Sequence, residues 1–112
     1  MALPRPLSPA MASAIADRFR LLAEPTRLRL LDLLSDGERS VGGLAQDLGC
    51  SQANVSKHLA LLADAGVVRR RRDGLHCFYA VSDPAVFVLC GQVCETLRRN
   101  ADARVAALRE PA

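Results

Sequence analysis

The chain has 112 residues, a length suited to one domain with its own apolar core. Half of it is hydrophobic but only 4% aromatic, so the core must come mainly from Leu, Val and Ala packed between helices. Fifteen Lys and Arg against twelve Asp and Glu leave a formal charge of +3, too mild by itself to establish a polyanionic partner. No apolar run approaches the roughly 18 residues of a membrane span, and Met1 to Pro9 lack the basic and apolar regions of a secretory leader. A cytoplasmic protein with no membrane partner is expected, and its four cysteines should be reduced thiols.

Residues 1–7 carry Pro4 and Pro6 without periodicity and are expected to form a flexible N-terminal arm, ahead of one domain over residues 8–110. Ser8-Pro9 has the cap and first-turn signature of a helix, and Met11, Ile15, Phe19 and Leu22 follow at helical spacing. Pro25 opens a second helix with a stripe of Leu28, Leu31 and Leu34, stopped at Asp36-Gly37. Ser40 caps a third, in which Val41, Leu44, Ala45 and Leu48 share a face up to Gly49. Gly42 and Gly43 lower its propensity, so packing must hold it.

Ser51 then caps a fourth helix with Val55, Leu59 and Leu62 on its apolar face and Gly66 as its stop. Two capped helices separated only by Gly49-Cys50 form a helix-turn-helix. Ser51, Gln52, Asn54, Ser56, Lys57 and His58 lie at the start of the second, where a recognition helix presents side chains to the major groove. Gln and Asn can pair bidentately with adenine, Lys with guanine, and Ser with base edges or phosphate. An ordinary solvated polar face is the competing reading, and the tight turn and the basic segment that follows weigh against it; for His58, a surface position near the core is the alternative to a phosphate or base contact.

That segment runs from Val67-Val68 through Arg69, Arg70, Arg71 and Arg72 to Asp73-Gly74 and a second extended run from Leu75 to Val81. Asp-Gly between two such runs predicts a hairpin with a type I′ turn. On its second strand Leu75, Cys77, Tyr79 and Val81 alternate with His76, Phe78 and Ala80. A basic hairpin directly after a helix-turn-helix is a wing, and Arg69, Arg71 and Arg72 are its candidate phosphate contacts.

The last helix starts at Asp83-Pro84, and Phe87, Cys90, Cys94, Leu97, Ala101, Val105 and Leu108 are spaced by threes and fours along one side. So long a stripe exceeds what a small core can cover and calls for a partner helix. Phe87, Cys90, Cys94, Leu97 and Ala101 are therefore the expected interface of a homodimer built from the first and last helices.

Three local motifs, Ala23-Glu24-Pro25-Thr26-Arg27-Leu28-Arg29-Leu30-Leu31, Ser51-Gln52-Ala53-Asn54-Val55-Ser56-Lys57-His58-Leu59 and Asp73-Gly74-Leu75-His76-Cys77-Phe78-Tyr79, resemble those of the ArsR/SmtB family of bacterial metal-responsive repressors. The resemblance covers roughly Ile15 to Leu97 and implies a winged helix that binds DNA. The family's sensing residues transfer less well. Many members carry two cysteines separated by one residue at the start of the third helix, where this chain has Ser40-Val41-Gly42. Others bind zinc through Asp, His and Glu on the last helix, where Asp83 is present and histidine is not.

Cys50, in the turn, and Cys77, on the strand, read best as small buried hydrophobes. Cys90 and Cys94 differ, lying one turn apart on one face. Two thiolates so placed suit a soft metal or metalloid, while small residues filling a helix interface account for them equally well. His76 and Cys77 point to opposite faces of a strand and cannot act as a base and nucleophile pair. With no phosphate loop, nucleophile elbow or Cys-X-X-Cys motif, an enzyme is the weaker class.

The expectation is a mainly α (α+β) winged helix-turn-helix with about five helices and one β-hairpin wing. It should be a homodimeric repressor that binds an inverted repeat in double-stranded DNA and needs no cofactor to do so. Its inducer would be a soft metal or metalloid such as As(III), Hg or Cd, held by Cys90 and Cys94. Persulfide or oxidant sensing by the same thiols is the alternative.

Overall fold

Ser8 begins the ordered helices by accepting a 3.1 Å hydrogen bond from the Met11 amide at its hydroxyl, with Pro9 in the first turn of α1 (Pro9–Leu22). Glu24 does the same for α2 (Pro25–Leu34), its carboxylate accepting from the Arg27 amide at 2.9 Å. Ser40 caps α3 (Val41–Leu48), and Ser51 caps α4 (Gln52–Asp64). The computed structural model describes residues 3–109 and divides into two compact units, one through Ser82 and one from Asp83 onward.

In the first unit, Leu30, Leu44, Val55, Leu59, Leu62 and Val67 are fully buried and form the core between α2, α3, α4 and the entry to the wing. The α2 stripe is rotated from the expected one. Leu30 is buried with Leu31 and Leu34, while Leu28 is exposed. Leu48 is only half-buried at the end of α3. On α1 only Leu22 is buried, and Met11 and Phe19 are 47% and 52% exposed, leaving most of that apolar stripe uncovered in a single chain.

The sheet has three strands rather than the two of a simple hairpin. β1 (Arg39–Ser40), β2 (Val68–Asp73) and β3 (His76–Val81) are antiparallel in the order β1-β3-β2. Arg39 pairs with Tyr79 and Ser40 with Phe78, so the residues leading into α3 are stitched to the wing. A two-residue strand has no periodicity to detect, and only its distant partner creates it.

The wing turn also differs from expectation. Asp73 pairs with His76, so the loop is Gly74-Leu75 rather than Asp73-Gly74. Gly74 has φ +60°, and no described non-glycine residue has positive φ. That is the pattern of a type II′ turn, which needs one glycine at its first central position, where type I′ needs two positive φ values. Leu75 consequently sits fully exposed at the tip, outside the Cys77 and Tyr79 set.

The second unit contains α5 (Ala85–Arg109), whose first turn is held by Asp83 Oδ1 accepting from the Ala85 amide at 3.2 Å. Val86 is buried, and every residue from Gly91 to Arg109 is exposed in the single chain, including Val93, Leu97, Val105 and Leu108. No helix among the described residues is long and apolar enough to cross a membrane.

Candidate nucleic-acid interface

The turn between α3 and α4 is built from backbone hydrogen bonds. Gly49 takes φ +67°, its amide donates to the Gln46 carbonyl at 3.3 Å, and the Cys50 amide donates to the Ala45 carbonyl at 3.1 Å. This is a Schellman motif, and glycine meets its left-handed position without steric cost. The Ser51 hydroxyl then accepts from the Asn54 amide at 3.1 Å, so α4 restarts two residues later on a defined heading. Cys50 is half-buried within that turn, its thiol 3.7 Å from the Leu48 carbonyl oxygen.

On α4 the buried positions Val55, Leu59 and Leu62 leave Ser51, Gln52, Asn54, Ser56 and Lys57 exposed together. The structure therefore leaves five of the six expected recognition residues exposed at the start of α4. His58 departs from them. Its side chain is only 13% exposed, its Nδ1 accepts from Arg27 Nε at 3.2 Å, and Glu24 Oε2 lies 3.9 Å from the same nitrogen. Accepting there places the neutral ring's proton on Nε2. Of the two readings of His58, its side chain takes the position near the core, turned toward the start of α2, where Arg27 Nε donates to it.

The wing arginines are exposed but not equivalent, since neighbours on a strand point to opposite faces. Arg69 Nη1 donates to the Val81 carbonyl at 3.4 Å. Arg71 is committed to Glu38: Nε donates to its two carboxylate oxygens at 3.1 and 3.2 Å, and Nη2 donates at 2.7 Å. The same guanidinium lies 4.7 Å from the centroid of the Phe78 ring, a cation–π geometry. The hydrogen bonds from Arg71, and then its charge, hold the Glu38 carboxyl below the usual carboxylate range. The Arg71 guanidinium is pushed up by that same pair, first through the hydrogen bonds.

Arg71, expected among the phosphate contacts, is thus occupied by a carboxylate 33 residues away. Arg72 and Arg70, the latter not singled out from sequence, make no ion pair with another described residue. Glu24, Arg27 and Glu38 were not foreseen as parts of the site. The Ala23 to Leu31 motif marked the first two without indicating what they touch, and nothing local marks Glu38.

Of the expected sensing residues, Cys90 is half-buried and Cys94 exposed on α5, and burial pushes the Cys90 thiol up. Phe87 is half-buried, and Leu97 and Ala101 are exposed. No group of three or more His, Cys, Asp or Glu among the described residues of one chain is placed to hold a metal ion.

Comparison with known proteins agrees with this geometry. Residues 22–71 match a family model described as a helix-turn-helix domain. The chain is 40% identical over 96 residues to the HTH-type transcriptional regulator Rv0081 of Mycobacterium tuberculosis, covering 85% of this chain and 84% of that one. The crystal structure of Rv0081 superposes with a TM-score of 0.78, covering 88% of this chain and 99% of that one at 37% identity. A probable mercury resistance operon repressor of Streptomyces lividans is 41% identical over 92 residues, covering 70% of this chain and 74% of its own. The homodimeric winged helix-turn-helix DNA-binding domain Mb0332 of Mycobacterium bovis, solved in solution, has a TM-score of 0.72 at 31% identity, covering 88% and 91%. A tight turn leading into an exposed polar helix, an arginine-bearing wing and relatives of this kind lead to one conclusion: the chain belongs to the ArsR/SmtB family of winged helix-turn-helix transcriptional regulators.

Proposed function

We propose that the chain is a homodimeric repressor that occupies an inverted repeat in duplex DNA and is released when a soft metal or metalloid binds Cys90 and Cys94. The observation that carries the DNA reading is the exposure of Gln52, Asn54, Ser56 and Lys57 around the solvent side of a helix anchored by fully buried Val55, Leu59 and Leu62. A two-fold dimer would set two copies of α4 in major grooves about 34–36 Å apart. Arg72, with Arg69 and Arg70, would neutralise phosphates beside them. Residues 8–110 would act as one functional domain behind an arm of residues 1–7.

The dimer reading is supported by the uncovered apolar residues of α1 and α5 and by the homodimeric relative from M. bovis. Soft-ion induction draws on the one-turn spacing of Cys90 and Cys94 and on the mercury resistance repressor of S. lividans. A single chain offers two thiols, and a two-fold seam would bring four. For the ion to release DNA it must favour the low-affinity dimer, and a coupling of about 1 to 3 kcal/mol is ordinary.

The test is a gel shift on duplexes selected in vitro with the wild-type protein. Affinity should fall steeply with salt and be far weaker on unrelated DNA; equal affinity for all duplexes at every salt level would overturn the repressor reading. Mercuric ion or arsenite should release the selected duplex. Replacing both Cys90 and Cys94 with Ser should abolish release and leave DNA binding intact. Release of the double variant at the same ion concentration would move the sensor elsewhere.

A further inference from the structure

We propose that Arg27 and His58 form a latch that sets the rotation of α4, so that His58 acts on DNA recognition from behind the helix as a positioning residue; this rests on α4 being the DNA-reading helix. Arg27 is the hub of three bonds. Its amide donates to Glu24 Oε2 at 2.9 Å, Nη1 donates to the Leu21 carbonyl at 2.8 Å, and Nε donates to His58 Nδ1 at 3.2 Å. The guanidinium makes two of these bonds and so ties the last turn of α1 and the middle of α4 to the first turn of α2, where Arg27 itself sits.

A second tie lies at the C-terminal end of α4. Arg18 Nη2 donates to the Ala65 carbonyl, at the helix C-cap, at 3.0 Å. The buried side chains of α4 are Val55, Leu59 and Leu62, a stripe that sets which face of the helix is covered. Apolar burial tolerates a small rotation about the helix axis, whereas hydrogen bonds depend steeply on angle. His58 lies next to Lys57 and one turn from Asn54, so a rotation that breaks the latch swings both exposed side chains together.

The buried end of His58 is already used. With Nδ1 accepting from Arg27 and the side chain 13% exposed, the ring orients the helix and leaves base contact to its neighbours.

The experiment compares the affinity of full-length variants for the in-vitro-selected duplex and for an unrelated duplex, with thermal unfolding alongside. His58→Leu removes the acceptor and should lower selected-duplex affinity about tenfold while unrelated-duplex affinity changes less than about threefold, as befits one hydrogen bond to a charged donor. His58→Asn should restore affinity, because its side-chain oxygen can accept where Nδ1 does. Arg27→Lys keeps the charge and the amide bond to Glu24 but cannot reach Leu21 and His58 together in a fork, and should repeat the loss even if His58→Leu folds poorly. The latch is overturned if His58→Leu or Arg27→Lys binds the selected duplex like wild type. It is equally overturned if both duplexes lose affinity in parallel with stability, or if His58→Asn is as defective as His58→Leu or changes preference at a single base pair. Wild-type protein that fails to discriminate the two duplexes would instead sink the DNA-reading role of α4, and the latch with it.

Discussion

Arg71 on β2 and Glu38, just before β1, are joined by hydrogen bonds of 2.7, 3.1 and 3.2 Å that pin the wing to the loop between α2 and α3. The pair sits on the exposed side of the molecule, so its role is to fix geometry more than to add stability. It also leaves Arg71, alone among the four wing arginines, paired to a carboxylate among the described residues.

Arg71 should therefore respond differently to substitution from Arg70 and Arg72. Arg72→Ala and Arg70→Ala should weaken binding to every duplex and each lower the salt slope by about one. Arg71→Ala should leave that slope near the wild-type value. Gln52→Ala should cost about 1–3 kcal/mol at one base pair and little elsewhere. Salt titrations across this set would refute the assignment if Arg71→Ala flattened the slope as much as Arg72→Ala.

Acid should release the wing tie. The folded carboxyl of Glu38 is held below its ordinary value, principally by hydrogen bonds from Arg71. A lowered folded value means that its stabilisation is fully present above the unfolded glutamate value of about 4.3 and is lost as pH falls through the folded one. Wild type should unfold at a higher temperature than Glu38→Gln near neutrality, and the difference should vanish at strongly acidic pH. A carboxyl resonance for Glu38 that titrates at the ordinary glutamate value would contradict this.

Gly49→Ala should cost about 1–2 kcal/mol, the penalty for a side chain in the left-handed region, because φ is +67° in the turn before α4. No atom lies within 4 Å of the position an added Cβ would occupy, so the cost is conformational and not a clash. Denaturant unfolding should show it as a shifted midpoint at unchanged slope. An unshifted midpoint would mean that the turn does not need glycine.

Leu97→Asp should give monomers and abolish DNA binding. Leu97 is 62% exposed in a single chain, and burying a large apolar side chain contributes roughly 1.5–3 kcal/mol. Sedimentation of wild type as a monomer at micromolar concentration would overturn the dimer, whatever the variant does.

Most of the fold was legible before any coordinates, because the signals that define it are local. Ser8, Ser40 and Ser51 cap helices through amides three residues ahead, and Gly49 ends one through a backbone angle that only its own residue sets. Amphipathic spacing then named Val55, Leu59 and Leu62 as the buried face of α4, which leaves its polar face outward by geometry alone. Contacts between distant segments were not legible. The strand at Arg39–Ser40 exists only because β3 pairs with it, His58 turns inward only because Arg27 lies 31 residues before it, and Arg71 differs from Arg72 only because Glu38 reaches its side of the strand. Each depends on the direction of a side chain toward a partner that the chain order does not place nearby. The sequence by itself determined which helix of the helix-turn-helix carries an exposed polar side; the tertiary structure decided which polar and charged residues near it stay exposed and which are held by distant partners, because only folding brings those partners within reach.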